Sequence, residues 1–235
     1  MQNFKALIFD VDGTLADTER DGHRCAFNLA FGEHGLAWHW DTQTYGDLLA
    51  VTGGKERLRH YAARYDPAAA ARPDFDARLR AVHATKTAHY VRLASRGLIP
   101  LRPGIARLID EARRNGIRLA IATTTTPDNV DALLRATLGA DSPDWFEVIG
   151  AGDVVPAKKP APDIYDWVLA RLGLPAADCL AIEDSANGLH AALGAGLRCL
   201  VTRNDYTARH DFSGAWRVMD SLAAVGLGEL GSLTA

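Results

Sequence analysis

From Pro103 onward the chain alternates between helical and strand patterns, and this narrows the possible folds more than any other feature. A helix over Gly104–Arg114 stops at Asn115-Gly116, and an apolar strand Arg118–Ala122 follows. Next come a helix Asp128–Leu138, a short strand Phe146–Ile149 and a helix Asp163–Leu172. A strand Cys179–Ile182, a helix Ala186–Ala192 and a strand Arg198–Val201 continue the series, and Trp216–Val218 reads as one more edge strand. Such alternation predicts an α/β fold with a doubly wound, largely parallel sheet. In sheets of this kind ligands bind beyond the carboxyl ends of the strands.

A further strand stands at the N-terminus. Lys5 to Phe9 is a short apolar run that ends in Asp10-Val11-Asp12-Gly13-Thr14. Side chains alternate along an extended chain, so Asp10 and Asp12 are expected on one side. Two carboxylates this close repel unless a cation separates them or one keeps its proton. Taken alone, a polar turn explains the pair equally well. Between this strand and the alternating region lie residues 16–95, which carry no strong strand signal. Helical patterning covers Glu19–Phe31, Lys55–Tyr65 and Phe75–Leu93, with a turn at Trp38–Trp40 and an Ala-rich linker over Asp66–Pro73. The chain thus divides into an α/β core (residues 1–15 and 96–235) and a helical insert (16–95).

Composition excludes more than it assigns. With 235 residues, 48% hydrophobic and 23% charged, the chain is that of an ordinary globular protein. Its formal net charge of -3 offers no broad basic face, so nucleic acid is not an expected partner. No apolar run approaches the roughly 18 residues that a membrane span needs. Met1-Gln2-Asn3-Phe4-Lys5 does not resemble a targeting leader. Cys25, Cys179 and Cys199 lack metal-ligand spacing and read as buried free thiols, which makes the cytoplasm the expected compartment.

Four stretches at strand ends carry chemistry: Asp10–Thr14, Thr123-Thr124-Thr125-Thr126, Lys158-Lys159-Pro160-Ala161-Pro162-Asp163, and Ile182-Glu183-Asp184-Ser185. Asp10, Glu183 and Asp184 form an oxygen-rich set suited to Mg²⁺. Hydroxyls and amides at Thr123–Thr126, near a helix start, suit the oxygens of a phosphoryl group. A lysine there restrains a nucleophilic carboxylate. An aspartate can then attack phosphorus in line, while Asp12 protonates the leaving alcohol and later deprotonates water. Singly, each stretch has a plainer explanation: a helix cap, surface charge, or acids favouring a helix dipole. In this order, all at strand ends, they are not chance.

The set resembles the haloacid dehalogenase superfamily, whose four motifs run in this order across nearly the whole chain. The resemblance implies Asp10 as nucleophile, Asp12 as general acid/base, Thr123 and Lys159 as the second and third motifs, and Glu183-Asp184 as the acidic fourth. It also implies Mg²⁺ held by the Asp10 side chain, the Asp12 backbone carbonyl, Glu183 and Asp184. The helical insert looks like the family's cap, which closes over substrate and excludes water.

Within the superfamily, Asp17–Arg24 and Thr52-Gly53-Gly54-Lys55-Glu56-Arg57 look like the CbbY-type branch. That resemblance implies removal of a phosphate from xylulose 1,5-bisphosphate, an inhibitor of Rubisco, in support of the Calvin cycle. A substrate with two phosphates needs a second cationic pocket, for which Gly53, Gly54, Lys55 and Arg57 are the candidates, with Lys86 and His89 from a later helix. Thr124, Thr125 and Thr126 would bind the first phosphate. Glu19 and His23, four apart on one helical face, are candidates for sugar hydroxyls or simply an exposed pair; Tyr45 is a further candidate or a packing residue. A β-phosphoglucomutase-like enzyme shares core and cap and stands as the alternative. A non-catalytic binder would have no use for the nucleophile. The partner expected is a small sugar phosphate, and the expected state is a monomer.

Overall fold

The structure is a computed structural model that describes residues 4–232. Its six strands are β1 (Ala6–Phe9), β2 (Arg118–Ala122), β3 (Phe146–Gly150), β4 (Cys179–Glu183), β5 (Arg198–Thr202) and β6 (Arg217–Met219). They form one all-parallel sheet in the order β3-β2-β1-β4-β5-β6. This is the doubly wound architecture expected from the alternation. Strand β1 is buried on both faces, as central strands of parallel sheets are.

Alternation along the strands sorts the core into two layers. Leu7, Phe9, Leu119, Ile121, Leu180 and Ile182 face one side, where α6 (Ile105–Arg114), α7 (Pro127–Leu138) and α10 (Leu227–Ser232) pack. Ala6, Ile8, Ala120, Ala122, Cys179 and Ala181 face the other, under α8 (Asp163–Leu172) and α9 (Ala186–Gly194). The small residues on that second face let the helices come close. At Gly150 an added Cβ would lie 2.9 Å from Val168, so only glycine fits there. Cys179 and Cys199 are buried free thiols as expected, whereas Cys25 is half-buried.

Between β1 and α6 lie α1 (Arg24–Glu33), α2 (Thr42–Leu48), α3 (Gly54–Tyr65), the single turn α4 (Pro67–Ala70) and the long α5 (Phe75–Ser95). They enclose an aromatic cluster of their own around Phe27, Phe31, Trp40 and Tyr45. Ala26, Tyr90 and Ala94 instead join the layer beneath the sheet, which seats the insert on the core. Helix α2 falls just after the turn expected at Trp38–Trp40, in a stretch where no helix was expected. Its start is fixed by Asp41, whose side chain accepts from the Thr44 amide, an N-cap signal.

The expected helix Glu19–Phe31 is two pieces. Glu19–His23 is a π-helical turn that runs into α1. Gly22 makes it possible, since a Cβ there would lie 2.7 Å from Ile99 and 3.0 Å from Tyr90. Insertions of this kind re-aim side chains at sites.

Candidate active site

The strand order reverses between β1 and β4, which opens a crevice past the carboxyl ends of the sheet. Strand β1 stops at Phe9, and its last amide bonds bring Asp10 beside Ile182 of β4 (N···O 3.0 Å). Asp10 and Asp12 therefore follow the strand rather than alternate along it, and both line the cleft. Glu183 is the final residue of β4, and Asp184 follows it.

Lys159 gathers the floor of this cleft. Its ammonium donates to Asp10 Oδ1 (2.7 Å), Glu183 Oε1 (2.6 Å) and the Ala122 carbonyl (2.8 Å), which uses all three protons. Burial alone would lower its pKa, but Asp10 and Glu183 outweigh that and raise it. One ammonium does not balance three acids. Burial, with Glu183 and Asp12 adding to it and Lys159 opposing, pushes Asp10 up to about 8. Burial, Asp10 and Glu183 push Asp184 well above the usual carboxylate range. Oxygens of Asp10, Glu183 and Asp184 lie within 4.8 Å of one another.

Glycines and neutral donors hold these acids in place. At Gly13 (φ +82°) a Cβ would lie 2.3 Å from Asp184 Oδ2, and at Gly188 one would lie 1.9 Å from Glu183 Oε2. Asn204 Nδ2 donates to Asp184 Oδ2 (2.7 Å), and the fully buried Tyr165 hydroxyl donates to Glu183 Oε1. Arg102 spans the back of the site, donating to the carbonyls of Gly13, Thr202 (2.7 Å) and Arg203 (2.8 Å). Of these five, Gly13 was read from the sequence as part of the first motif; Gly188, Asn204, Tyr165 and Arg102 were given no role there. Asn204 lies just past the end of β5 and Gly188 in the first turn after Glu183-Asp184, so position relative to strand ends could have flagged both.

Asp12 stands apart from the three acids. Its Oδ1 accepts from Thr18 Oγ1 (2.6 Å) and meets His23 Nε2 at 2.8 Å. Lys86 Nζ lies 2.7 Å from His23 Nδ1. Since an amine nitrogen bearing its full set of protons can only donate, Nδ1 accepts, and Nε2 carries the proton that goes to Asp12. Burial would raise Asp12, but His23, Thr18 and Lys86 hold it down at about 2. Burial lowers Lys86 to about 8, and its ammonium sits over the rings of Phe27 (4.9 Å) and Tyr90 (5.4 Å). The π-helical turn thus separates the fates of two residues expected on one face. His23 turns down to Asp12, stacked on Tyr90, while Glu19 takes the Tyr45 hydroxyl.

The threonine run begins on the floor and ends at a helix. Thr123 and Thr124 line the main cleft, a space of about 240 Å³. Thr124, Thr125 and Thr126 line a smaller compartment of about 40 Å³, under Gly53, Gly54, Arg57, His83 and Lys86. Thr125 Oγ1 accepts from Asn129 (2.9 Å), and Thr126 is the N-cap of α7. His83 also went unflagged; burial, then Lys86 and Lys55, lower it to about 3, so it is neutral here.

Three expected residues lie elsewhere. Tyr45 is fully buried and lines neither compartment; its hydroxyl joins Glu19 and Arg57 (2.9 Å). Its role is to orient Arg57, which lines both. Lys55 lines neither and pairs with Asp153. His89 pairs with Glu33 of α1 and lines neither compartment.

The sequence model of the haloacid dehalogenase-like hydrolases matches residues 4–196. The chain belongs to that family. Its residues 4–196 are thus those of a haloacid dehalogenase-like hydrolase. Among relatives, it is 56% identical over 218 residues to the plasmid CbbY protein of Cupriavidus necator, covering 93% of this chain and 85% of that one. The crystal structure of CbbY from Rhodobacter sphaeroides in complex with phosphate superposes with a TM-score of 0.89 at 49% identity, covering 97% of this chain and 99% of that chain. An aspartate-to-asparagine mutant of the same protein, crystallised with xylulose-(1,5)bisphosphate, matches with the same TM-score, identity and coverage.

Proposed function

We propose that this haloacid dehalogenase-type enzyme is a Mg²⁺-dependent phosphatase of sugar bisphosphates, with xylulose 1,5-bisphosphate as its substrate. The observation that carries the reading is the opposed charge of the cleft. Asp10, Glu183 and Asp184 crowd the floor, while Arg57 of the insert lines the same cleft and Lys86 lines the smaller compartment beside it. One phosphate would lie at Asp10 and the other beneath Arg57 and Lys86, within reach of Thr124–Thr126. The 49%-identical protein crystallised with xylulose-(1,5)bisphosphate supports the choice of substrate. On this reading residues 16–95 are a cap, and the enzyme relieves Rubisco of an inhibitor in a carbon-fixing host.

The donor set fits Mg²⁺. Three hard oxygen ligands converge, Glu183 Oε2 is buried without a hydrogen-bond partner, and one ammonium opposes three acids. Asp10, Glu183, Asp184 and the Asp12 carbonyl would hold the ion, whose charge would screen a phosphoryl group from the carboxylates around it.

The chain's own residues would perform two displacements. An Asp10 oxygen attacks phosphorus, the bond from phosphorus to the sugar oxygen breaks, and Asp12 delivers a proton to that oxygen. Water then attacks the aspartyl phosphate, Asp12 takes its proton, and Asp10 is released with inorganic phosphate. The first step needs Asp12 protonated and the second needs it ionised; His23, Thr18 and Lys86 favour the ionised form. Lys159 would keep Asp10 oriented and Thr123 would donate to the phosphoryl group. All groups belong to one chain, which is consistent with a monomer. No helix among the described residues is long and apolar enough to cross a membrane, and a cytoplasmic location fits the free thiols.

Phosphate release with Mg²⁺ is the test, across xylulose 1,5-bisphosphate, ribulose 1,5-bisphosphate and β-glucose 1-phosphate. The reading expects strong preference for the first. Conversion of β-glucose 1-phosphate to the 6-phosphate without net release would make the enzyme a mutase instead.

A further inference from the structure

Asp153 lies in the loop between β3 and Lys159, outside both compartments of the cleft. Its two carboxylate oxygens serve two different parts of the molecule. Oδ1 accepts from Lys158 Nζ (2.7 Å), which also donates to the Gly152 carbonyl (2.6 Å). Oδ2 accepts from Lys55, the second residue of α3. The Lys158 and Lys55 ammonium groups hold Asp153 down at about 2, so the bridge is charged throughout the working range. The loop itself rests on the core: Gly152 has φ +64°, and a Cβ there would meet Pro127 at 3.4 Å.

The residues just before Lys55 shape the roof of the cleft. Gly53 and Gly54 line it, and Arg57 lies one turn further along α3. Across the cleft the insert is seated by neutral contacts. Asn187 Nδ2 donates to Thr52 Oγ1 (2.9 Å), and the Tyr206 ring lies against Tyr45 (centroids 6.3 Å). Among the described residues, Asp17–Arg102 also joins insert to core, at the base where the insert leaves the core, and His23 meets Asp12 inside the site. Lys55–Asp153 joins them instead at the rim.

We propose that Asp153 is a positioning residue: it ties the start of α3 to the loop that carries Lys159, and so holds the helical insert closed over the cleft. Lys55 acts as the insert's half of this latch, not as a phosphate ligand. The proposal rests on the phosphatase reading only in its use of a phosphate ester as probe. The side chains are partly exposed (33% for Lys55, 60% for Asp153), so the effect is modest and salt-sensitive.

The experiment compares Lys55→Met, Asp153→Asn, the double variant and Lys55→Arg with the wild type, with Mg²⁺ present. The substrates are p-nitrophenyl phosphate and xylulose 1,5-bisphosphate, and amide hydrogen exchange is followed over Gly53–Arg57. Each single variant should raise KM for both substrates roughly two- to fivefold, with the double no worse than Asp153→Asn alone. Lys55→Arg should behave as wild type, the difference should fade in high salt, and exchange over Gly53–Arg57 should quicken in all three weakened variants. A Lys55→Met loss confined to the bisphosphate, with Asp153→Asn harmless, would overturn the latch and make Lys55 a ligand. Additive losses in the double variant would overturn it as well. Refusal of the bisphosphate by the wild type would sink the substrate assignment alone, since p-nitrophenyl phosphate and hydrogen exchange still report on the latch.

Discussion

The floor and the roof of the cleft are built on opposite charge and by opposite means. The floor packs three carboxyl groups and one lysine into a buried cluster fixed by strand ends. The roof carries Arg57 and Lys86 on helices, each held by side chains from other helices: Arg57 by Tyr45, Lys86 by His23 and two aromatic rings. The floor is short of positive charge, which a cation would supply. The roof sets Arg57 and Lys86 beside Glu19 and Asp12 in the smaller compartment, so a phosphate there would meet cations that already have acidic neighbours. The difference also explains where precision resides: strands fix the floor, while the roof depends on how the insert packs.

The comparison breaks most visibly at Gly188. Alanine in a helix is ordinarily favoured over glycine by about 1 kcal/mol. Here its Cβ would meet Glu183 Oε2 at 1.9 Å, and Glu183 cannot swing freely because Lys159 and Tyr165 hold its other oxygen. Gly188→Ala should cost about 3 kcal/mol, read by denaturant unfolding, and should weaken Mg²⁺ binding by calorimetry. A stabilised variant with unchanged Mg²⁺ affinity would show that the floor is not tightly constrained.

A smaller effect sharpens the charge imbalance. Asp10 sits at about 8 in the folded chain against 3.8 for a free side chain. The folded state therefore binds the proton more tightly, and stability falls as pH rises towards 8. Below pH 6.5 the lowered His83, and towards pH 8 the lowered Lys86, act in the opposite sense, so the clean window is pH 6.5 to 7.5. Without Mg²⁺, the protein should lose about 1 kcal/mol across that window, seen as a lower melting midpoint. With Mg²⁺ the loss should vanish, because the cation replaces the proton. A midpoint that is flat with pH in both conditions would mean that the acids are already balanced.

How much of this was legible in the sequence follows the same division. Asp10, Thr123, Glu183 and Asp184 were readable because a strand that ends in a polar residue gives that residue an address, whereas Lys159 lies in the loop between β3 and α8 and was readable only from its motif. The six strands were found within about a residue of their ends, the usual margin for such boundaries. The roof was only partly readable. Lys55 and Tyr45 have the right chemistry for a ligand, but Asp153 and the aromatic cluster claim them, and those contacts span distances in sequence that no local pattern encodes. Helix α2 was missed because its Asp41 cap was overlooked, and the π-helical turn because a regular period was assumed. Tyr165 was not legible as a site residue, since its hydrogen bond to Glu183 exists only once α8 packs on the sheet.

The most direct test of the account is a rapid acid quench of the enzyme with Mg²⁺ and xylulose 1,5-bisphosphate, followed by mass spectrometry of the peptide containing Asp10. The account predicts a phosphoryl group on Asp10 in the wild type. It also predicts that Asp10→Asn, correctly folded by circular dichroism, neither carries that group nor releases phosphate, a loss of at least about a thousandfold. An unmodified Asp10 peptide together with substantial turnover by Asp10→Asn would contradict it.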